Sequence, residues 1–201
     1  NNIGFLDFLK AAKELKLNSQ YLCFCKPESK HIESYYYTRW GYDKPKMWEL
    51  YGDKHQGVSI ALDKEKILFE YNKKLNNLHD GHITHDAILY KDIVCRSDEL
   101  KPKTLANYYR DVRHFDQIEF LEEFKHPFFF QKDRDYQDEN EYRFVYITSK
   151  IQDDLRVDIA NSVTALYFGD KVDVDFIKYY KKLITKEFPN IHIYQVRWFN
   201  G

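Results

Sequence analysis

The chain has 201 residues, with 31 Lys and Arg against 32 Asp and Glu, for a formal net charge of -1. That balance supplies no strong field to gather nucleic acid, and only 7 Gly and 5 Pro leave little room for long linkers. No apolar run reaches the roughly 20 residues of a membrane span, and no signal-peptide pattern precedes the first helix.

Three widely split Cys make no disulfide framework, so a reducing, cytoplasmic setting with no membrane partner is expected. The sequence opens at Asn1 rather than Met, and further native residues are expected upstream. The length suits one domain, residues 1–201.

In chain order, Phe5, Phe8, Leu9, Ala12 and Leu15 recur at helical spacing and predict a helix over Gly4–Leu17. Gln20–Cys25 reads as a strand. Cys23 and Cys25 sit two apart on it, but no second ligand pair lies at a matching distance, which favours small core residues over half a metal site. Lys26–Tyr42 reads as a loop with aromatic interruptions, which are expected to pack on the core rather than stack bases.

Lys44–Tyr51 predicts a short helix, with Pro45 in its first turn and Gly52 as its C-terminal cap. Trp48 and Tyr51, three apart, are expected to share a face. Gly57–Leu62 predicts a strand, and Asp53, Lys54 and His55 lie on the connection, where His55 has the chemistry of a general acid or base. Asp63 is placed to cap a helix running to Asn76.

The run His79-Asp80-Gly81-His82-Ile83-Thr84-His85-Asp86 is dense in metal-capable side chains. At helical spacing His82 and Asp86 would share a face, yet the segment lacks periodic apolar residues and suits a solvated loop better. Ile88–Val94 reads as a strand and Thr104–Phe124 as the longest helix. Later come strands over Leu155–Ile159 and Val163–Phe168, a helix over Val174–Phe188 stopped by Pro189, and a strand over Ile191–Trp198. The fold class is α+β: a single domain with a mixed, mostly antiparallel sheet and flanking helices. Neither a phosphate-binding glycine loop, nor HExxH, nor GxSxG occurs.

The stretch with the most chemistry is Phe128–Tyr146. As a strand, Glu141–Ile147 alternates its faces. Tyr142, Phe144 and Tyr146 share one, and Glu141, Arg143, Val145 and Ile147 the other. Val145 and Ile147 demand burial, so Glu141 and Arg143 lead into a strand covered on both sides. A charge there must be paired or must border a cleft. Glu139 joins that face if the strand starts early, and Lys132 stands close by in sequence. A structural ion pair is the plain alternative to a site.

Three pieces together resemble a bacterial family, the domain of unknown function DUF2971. They are Met47-Trp48 with Tyr51-Gly52-Asp53 and His55-Gln56-Gly57; Lys132 with Asp135-Tyr136, Glu139 and Glu141-Tyr142-Arg143; and Leu166-Tyr167-Phe168-Gly169. Two departures stand out. Position 136 is Tyr where the family usually has Trp, and the family's opening Tyr-rich strand and Asn-Asp-Pro turn have no counterpart here.

The order of parts in that family is similar to ADP-ribosyltransferase-like toxins. The resemblance implies NAD as cosubstrate, a protein or nucleic-acid acceptor, and a toxin or antiphage role. It also implies Glu141 as the catalytic carboxylate beside developing positive charge, with Glu139 orienting the acceptor. Trp48, Tyr51 or Tyr136 would stack on a ring, with His55 in the same cofactor-binding set, and Arg143 or Lys132 would meet a phosphate. Two alternatives remain: a divalent-metal nuclease site built on Lys132, Glu139 and Glu141, and a non-catalytic binding or sensor module in a defence system.

Overall fold

The computed structural model describes residues 10, 13–32, 35–75, 81–92, 125–126, 128–148 and 155–198. The chain divides into two compact units, one of residues 1–24 and 79–155, the other of residues 25–78 and 156–201. The predicted helix over Thr104–Phe124 lies outside the described residues, as does His79.

In the first unit a helix over residues 13–18 (α1) precedes β1 (Gln20–Cys25). β1 flanks β8 (Glu141–Ile147), and β5 (His82–Ala87) flanks it on the other side, giving the order β1-β8-β5. β5 and β8 are antiparallel, with His82 opposite Ile147 and Asp86 opposite Arg143. A central strand has neighbours on both edges, and its apolar residues fill both faces. Val145 and Ile147 pack with Leu15, Ile88, Phe129 and Phe130, while Phe144 meets Phe24 edge-on at 5.4 Å. Each such fully buried side chain contributes about 1.5–3 kcal/mol. The predicted span of β8 and its two-sided burial both hold.

Among the described residues this unit also has two short parallel strands, β6 (Leu89–Lys91) and β7 (Gln131–Asp133). The amide of Ile88 donates to the Glu141 carbonyl at 2.9 Å and that of Leu89 to Phe130 at 2.8 Å, which ties β6 to the start of β8. The expected strand over Ile88–Val94 is thus real but shorter among the described residues. His82–Asp86, read as a solvated loop or a helical metal face, is instead a strand, held by the β8 ladder. His85 Nδ1 lies 2.7 Å from the Tyr142 hydroxyl. Among the described residues no group of three metal-capable side chains converges.

The second unit contains the antiparallel hairpin β2 (Glu28–Ile32) and β3 (Tyr35–Arg39). The loop expected over Lys26–Tyr42 is therefore corrected. Its Tyr and Thr residues favour extended backbone, and pairing decides the outcome. α2 (Pro45–Tyr51) begins with Pro45 and ends at Gly52, as its sequence predicts. β4 (Val58–Leu62) and α3 (Lys64–Leu75) follow, with Asp63 Oδ1 accepting from the Glu65 and Lys66 amides at the helix start.

β9 (Val163–Phe168) is the centre of the second sheet, ordered β10-β9-β4. It is antiparallel to β4 and parallel to β10 (His192–Gln195). α4 (Val174–Glu187) is the crossover between β9 and β10, capped by Asp173 on the Asp175 and Phe176 amides. The strand predicted over Leu155–Ile159 does not form. Asp158 captures the Ala160 amide at 2.9 Å and the chain turns into a 3-10 helix over Ala160–Ser162.

Two turns of this unit lock together. Gly169 donates to the Gly57 carbonyl at 3.0 Å and Lys171 to the His55 carbonyl at 3.2 Å. A Cβ on Gly169 would stand 2.0 Å from the His55 carbonyl oxygen, so only glycine fits. Gly169→Ala is expected to cost about 1–3 kcal/mol through backbone displacement and to lower the melting temperature by roughly 5 °C. An unchanged melting curve would mean that the two turns can part freely.

Candidate functional site

The polar centre of the first unit is assembled by three short elements. β7 carries Lys132, a 3-10 helix over Arg134–Glu139 ends in Glu139, and β8 begins with Glu141 and Arg143. Asn140, at φ 45°, turns the chain sharply between the last two elements. Glu139 is not part of the strand, contrary to the early-start reading, and the turn brings its carboxylate to the same place by another route.

Lys132 Nζ contacts Glu139 Oε2 and lies 3.4 Å from Glu141 Oε2. Arg143 grips Glu141 with two nitrogens, Nε on Oε1 and Nη2 on Oε2 at 3.1 Å, while Nη1 donates to the Phe129 carbonyl at 2.8 Å. Glu139 and Glu141 are only 7% and 6% exposed. Two buried carboxylates and two part-buried cations thus share one location and cancel in charge. Tyrosines surround them: Tyr90 accepts the Glu141 amide at 2.8 Å, Tyr136 lies 4.7 Å under the Lys132 ammonium, and Tyr21 lies 5.9 Å from the Arg143 guanidinium.

The electrostatics follow from these contacts. Burial pushes the Glu141 carboxyl up, but hydrogen bonds from Arg143 and Cys23, with the charges of Arg143 and Lys132, outweigh it and hold it below the usual glutamate value. Burial likewise works against the Arg143 guanidinium, and Glu141 overcomes it and raises that group. Cys23 is exposed, yet desolvation beside the centre, reinforced by Glu141, pushes its thiol up to about 12, so it stays a neutral donor. Burial also raises Tyr90, with the Glu141 and Glu139 charges adding to it.

Of the sequence-predicted residues, Lys132, Glu139, Glu141, Arg143 and Tyr136 come together. Trp48, Tyr51 and His55 belong to the second unit. There Trp48 is 3% exposed and donates its indole N–H to the Tyr42 carbonyl at 2.9 Å, whereas Tyr51 is 64% exposed. Sharing one side of α2 does not give them one environment. Three residues apart on α2 leaves them only about 60° apart around the axis, yet Trp48 faces the core and Tyr51 lies beyond its rim. His55 lies against Trp48, with near-parallel rings 6.4 Å apart.

Sequence reasoning missed Tyr90, Cys23, Tyr21 and the Phe129 carbonyl. For Cys23 and Tyr21 a signal existed, because alternation on β1 puts them on one face. For Tyr90 and Phe129 none did, since only strand pairing places them.

Residues 47–144 match the family model DUF2971, described as a protein of unknown function. The matched stretch includes all the residues of the polar centre but Cys23 and Tyr21, and stops short of the Leu166–Gly169 piece of the resemblance. No curated protein and no solved structure gives a significant match.

Removing one member of such a network strands its partner. Glu141→Ala is expected to cost roughly 2–3 kcal/mol, because the part-buried Arg143 charge loses its partner. The lowered pKa sets the sign of the pH effect. The stabilisation from Glu141 is fully present above its ordinary 4.5 and is lost as pH falls through the lower folded-state value. Urea midpoints of wild type and Glu141→Gln should therefore converge on acidification below that range. A gap that stays constant with pH would contradict the ionised pairing.

Proposed function

We propose, for a chain whose residues 47–144 carry the DUF2971 pattern, that the polar centre of the first unit is an ADP-ribosyltransferase-type site with Glu141 as its catalytic carboxylate. The observation that supports this reading is the state of Glu141: buried, held below its usual pKa, and gripped at both oxygens. Cleavage of the bond between ribose and nicotinamide builds positive charge on the sugar, and a fixed anion beside that charge lowers the barrier.

In this reading NAD is the substrate. Glu141 faces the ribose, Glu139 orients the acceptor, and Tyr136 supplies a ring for stacking. Arg143 or Lys132 turns toward a diphosphate, whose negative charge replaces part of what the glutamates now supply. The acceptor is a nucleophilic group on a protein or nucleic acid, which suits a toxin or an antiphage effector.

One observation favours a second reading. The four charges of the centre already neutralise one another, as in a network that holds a non-catalytic binding or sensor module in shape. The test is melting with millimolar NAD together with an assay for released nicotinamide. The first reading expects stabilisation by a few degrees and a fall in nicotinamide release of about 100-fold or more in Glu141→Gln. Absence of both responses in the wild type would overturn it in favour of the second reading.

A further inference from the structure

The locked turns of the second unit carry an imidazole that the proposed chemistry at Glu141 does not use. Asp53, Lys54 and His55 follow α2 with φ of 46°, 50° and 74°, three consecutive non-glycine residues in the left-handed region. The His55 backbone is pinned at both ends, its amide on the Trp48 carbonyl at 3.3 Å and its carbonyl on the Lys171 amide at 3.2 Å. The side chain, 14% exposed, is then presented between Trp48 and the edge of Trp198.

Both ring nitrogens face carboxylates. Asp170 Oδ1 lies 3.1 Å from Nδ1, and Glu49 Oε2, on a side chain 57% exposed, lies 3.9 Å from Nε2. Trp198 Nε1 also points at Nδ1, from 3.1 Å. These two contacts at Nδ1 exclude each other. When Nδ1 carries the proton it donates to Asp170 and Nε2 keeps a lone pair. When Nδ1 accepts from Trp198 the proton is on Nε2, and the buried Asp170 Oδ1 is left without a donor.

We infer that His55 is a proton acceptor for a hydroxyl, amine or water nucleophile, with Asp170 as its positioning residue and Trp198 as the competing donor that sets the tautomer. In the active tautomer the nucleophile's O–H or N–H bond breaks, its electron pair stays on the attacking atom, and the proton forms a new bond to Nε2. The imidazolium so formed donates to Asp170 through Nδ1 and faces Glu49 through Nε2. The attacking atom's pair forms a bond to the acyl carbon of the substrate. The bond from that carbon to the leaving group breaks with its pair going to the leaving group, and Nε2 returns the proton to it. An acceptor oriented by a carboxylate on its far nitrogen is a recurring device for general-base chemistry.

The test needs neither NAD nor Glu141, so it stands or falls separately from the proposed function. Hydrolysis of p-nitrophenyl acetate is followed for wild type, with the rate of His55→Gln subtracted, and imidazole ¹⁵N shifts report the tautomer. Asp170→Asn is expected to lower the His55-dependent rate about tenfold and to shift the ring toward the Nε2–H form. Trp198→Phe is expected to raise the rate severalfold and to shift the ring toward Nδ1–H. A wild-type rate equal to that of His55→Gln, or variants that leave the tautomer unmoved or move it in one common direction, would overturn the assignment.

Discussion

The pairing of Glu141 with Arg143 is the constraint on which the first unit depends. Both sit at the opening of a strand whose next four residues, Phe144 to Ile147, are all buried. The strand cannot shift by one residue without sending Val145 and Ile147 to the wrong face. Its charged end is therefore fixed wherever the apolar end requires it, and there both carboxylates are buried. Glu141 then needs Arg143, and the second carboxylate, Glu139, needs Lys132. Arg143 in turn reaches the Phe129 carbonyl, which couples the charged centre to the apolar cluster of Phe129, Phe130, Val145 and Ile147.

The second unit solves a different problem with backbone geometry. Its central strand β9 ends at Gly169, and the close approach of that glycine to His55 joins two turns that strand pairing alone would leave independent. Three left-handed residues in a row are costly, and they persist because hydrogen bonds to Trp48 and Lys171 hold them. The result is a rigidly presented imidazole with a carboxylate at each nitrogen. The two units thus place titratable groups by opposed means, one by burial and charge balance, the other by strain and tight turns.

Much of this was legible in the residues. The apolar alternation of β8, the Pro45 and Gly52 boundaries of α2 and the Asp63 start of α3 are local signals, and each predicted its element. Alternation on β8 made the pairing of Glu141 with Arg143 foreseeable, whereas Glu139 joins through the Asn140 turn and Lys132 through the pairing of β7 with β6. What failed depended on partners far away in sequence. His82–Ala87 carries no strong periodicity and becomes a strand because β8 offers it a ladder. The hairpin of β2 and β3 hid in a polar, aromatic stretch for the same reason. Asp170 and Trp198 meet His55 across more than a hundred residues, a distance no local pattern spans.

A double-mutant cycle on Glu141→Gln and Arg143→Gln tests the central claim most directly, with unfolding free energies of wild type, both single variants and the double variant. If the pair is the constraint described, each single variant strands its partner, and the double variant is little worse than either. The coupling should then be about 2 kcal/mol or more. Effects that add to within roughly 0.5 kcal/mol would contradict the account, because the two charges would then be held by the fold independently of one another.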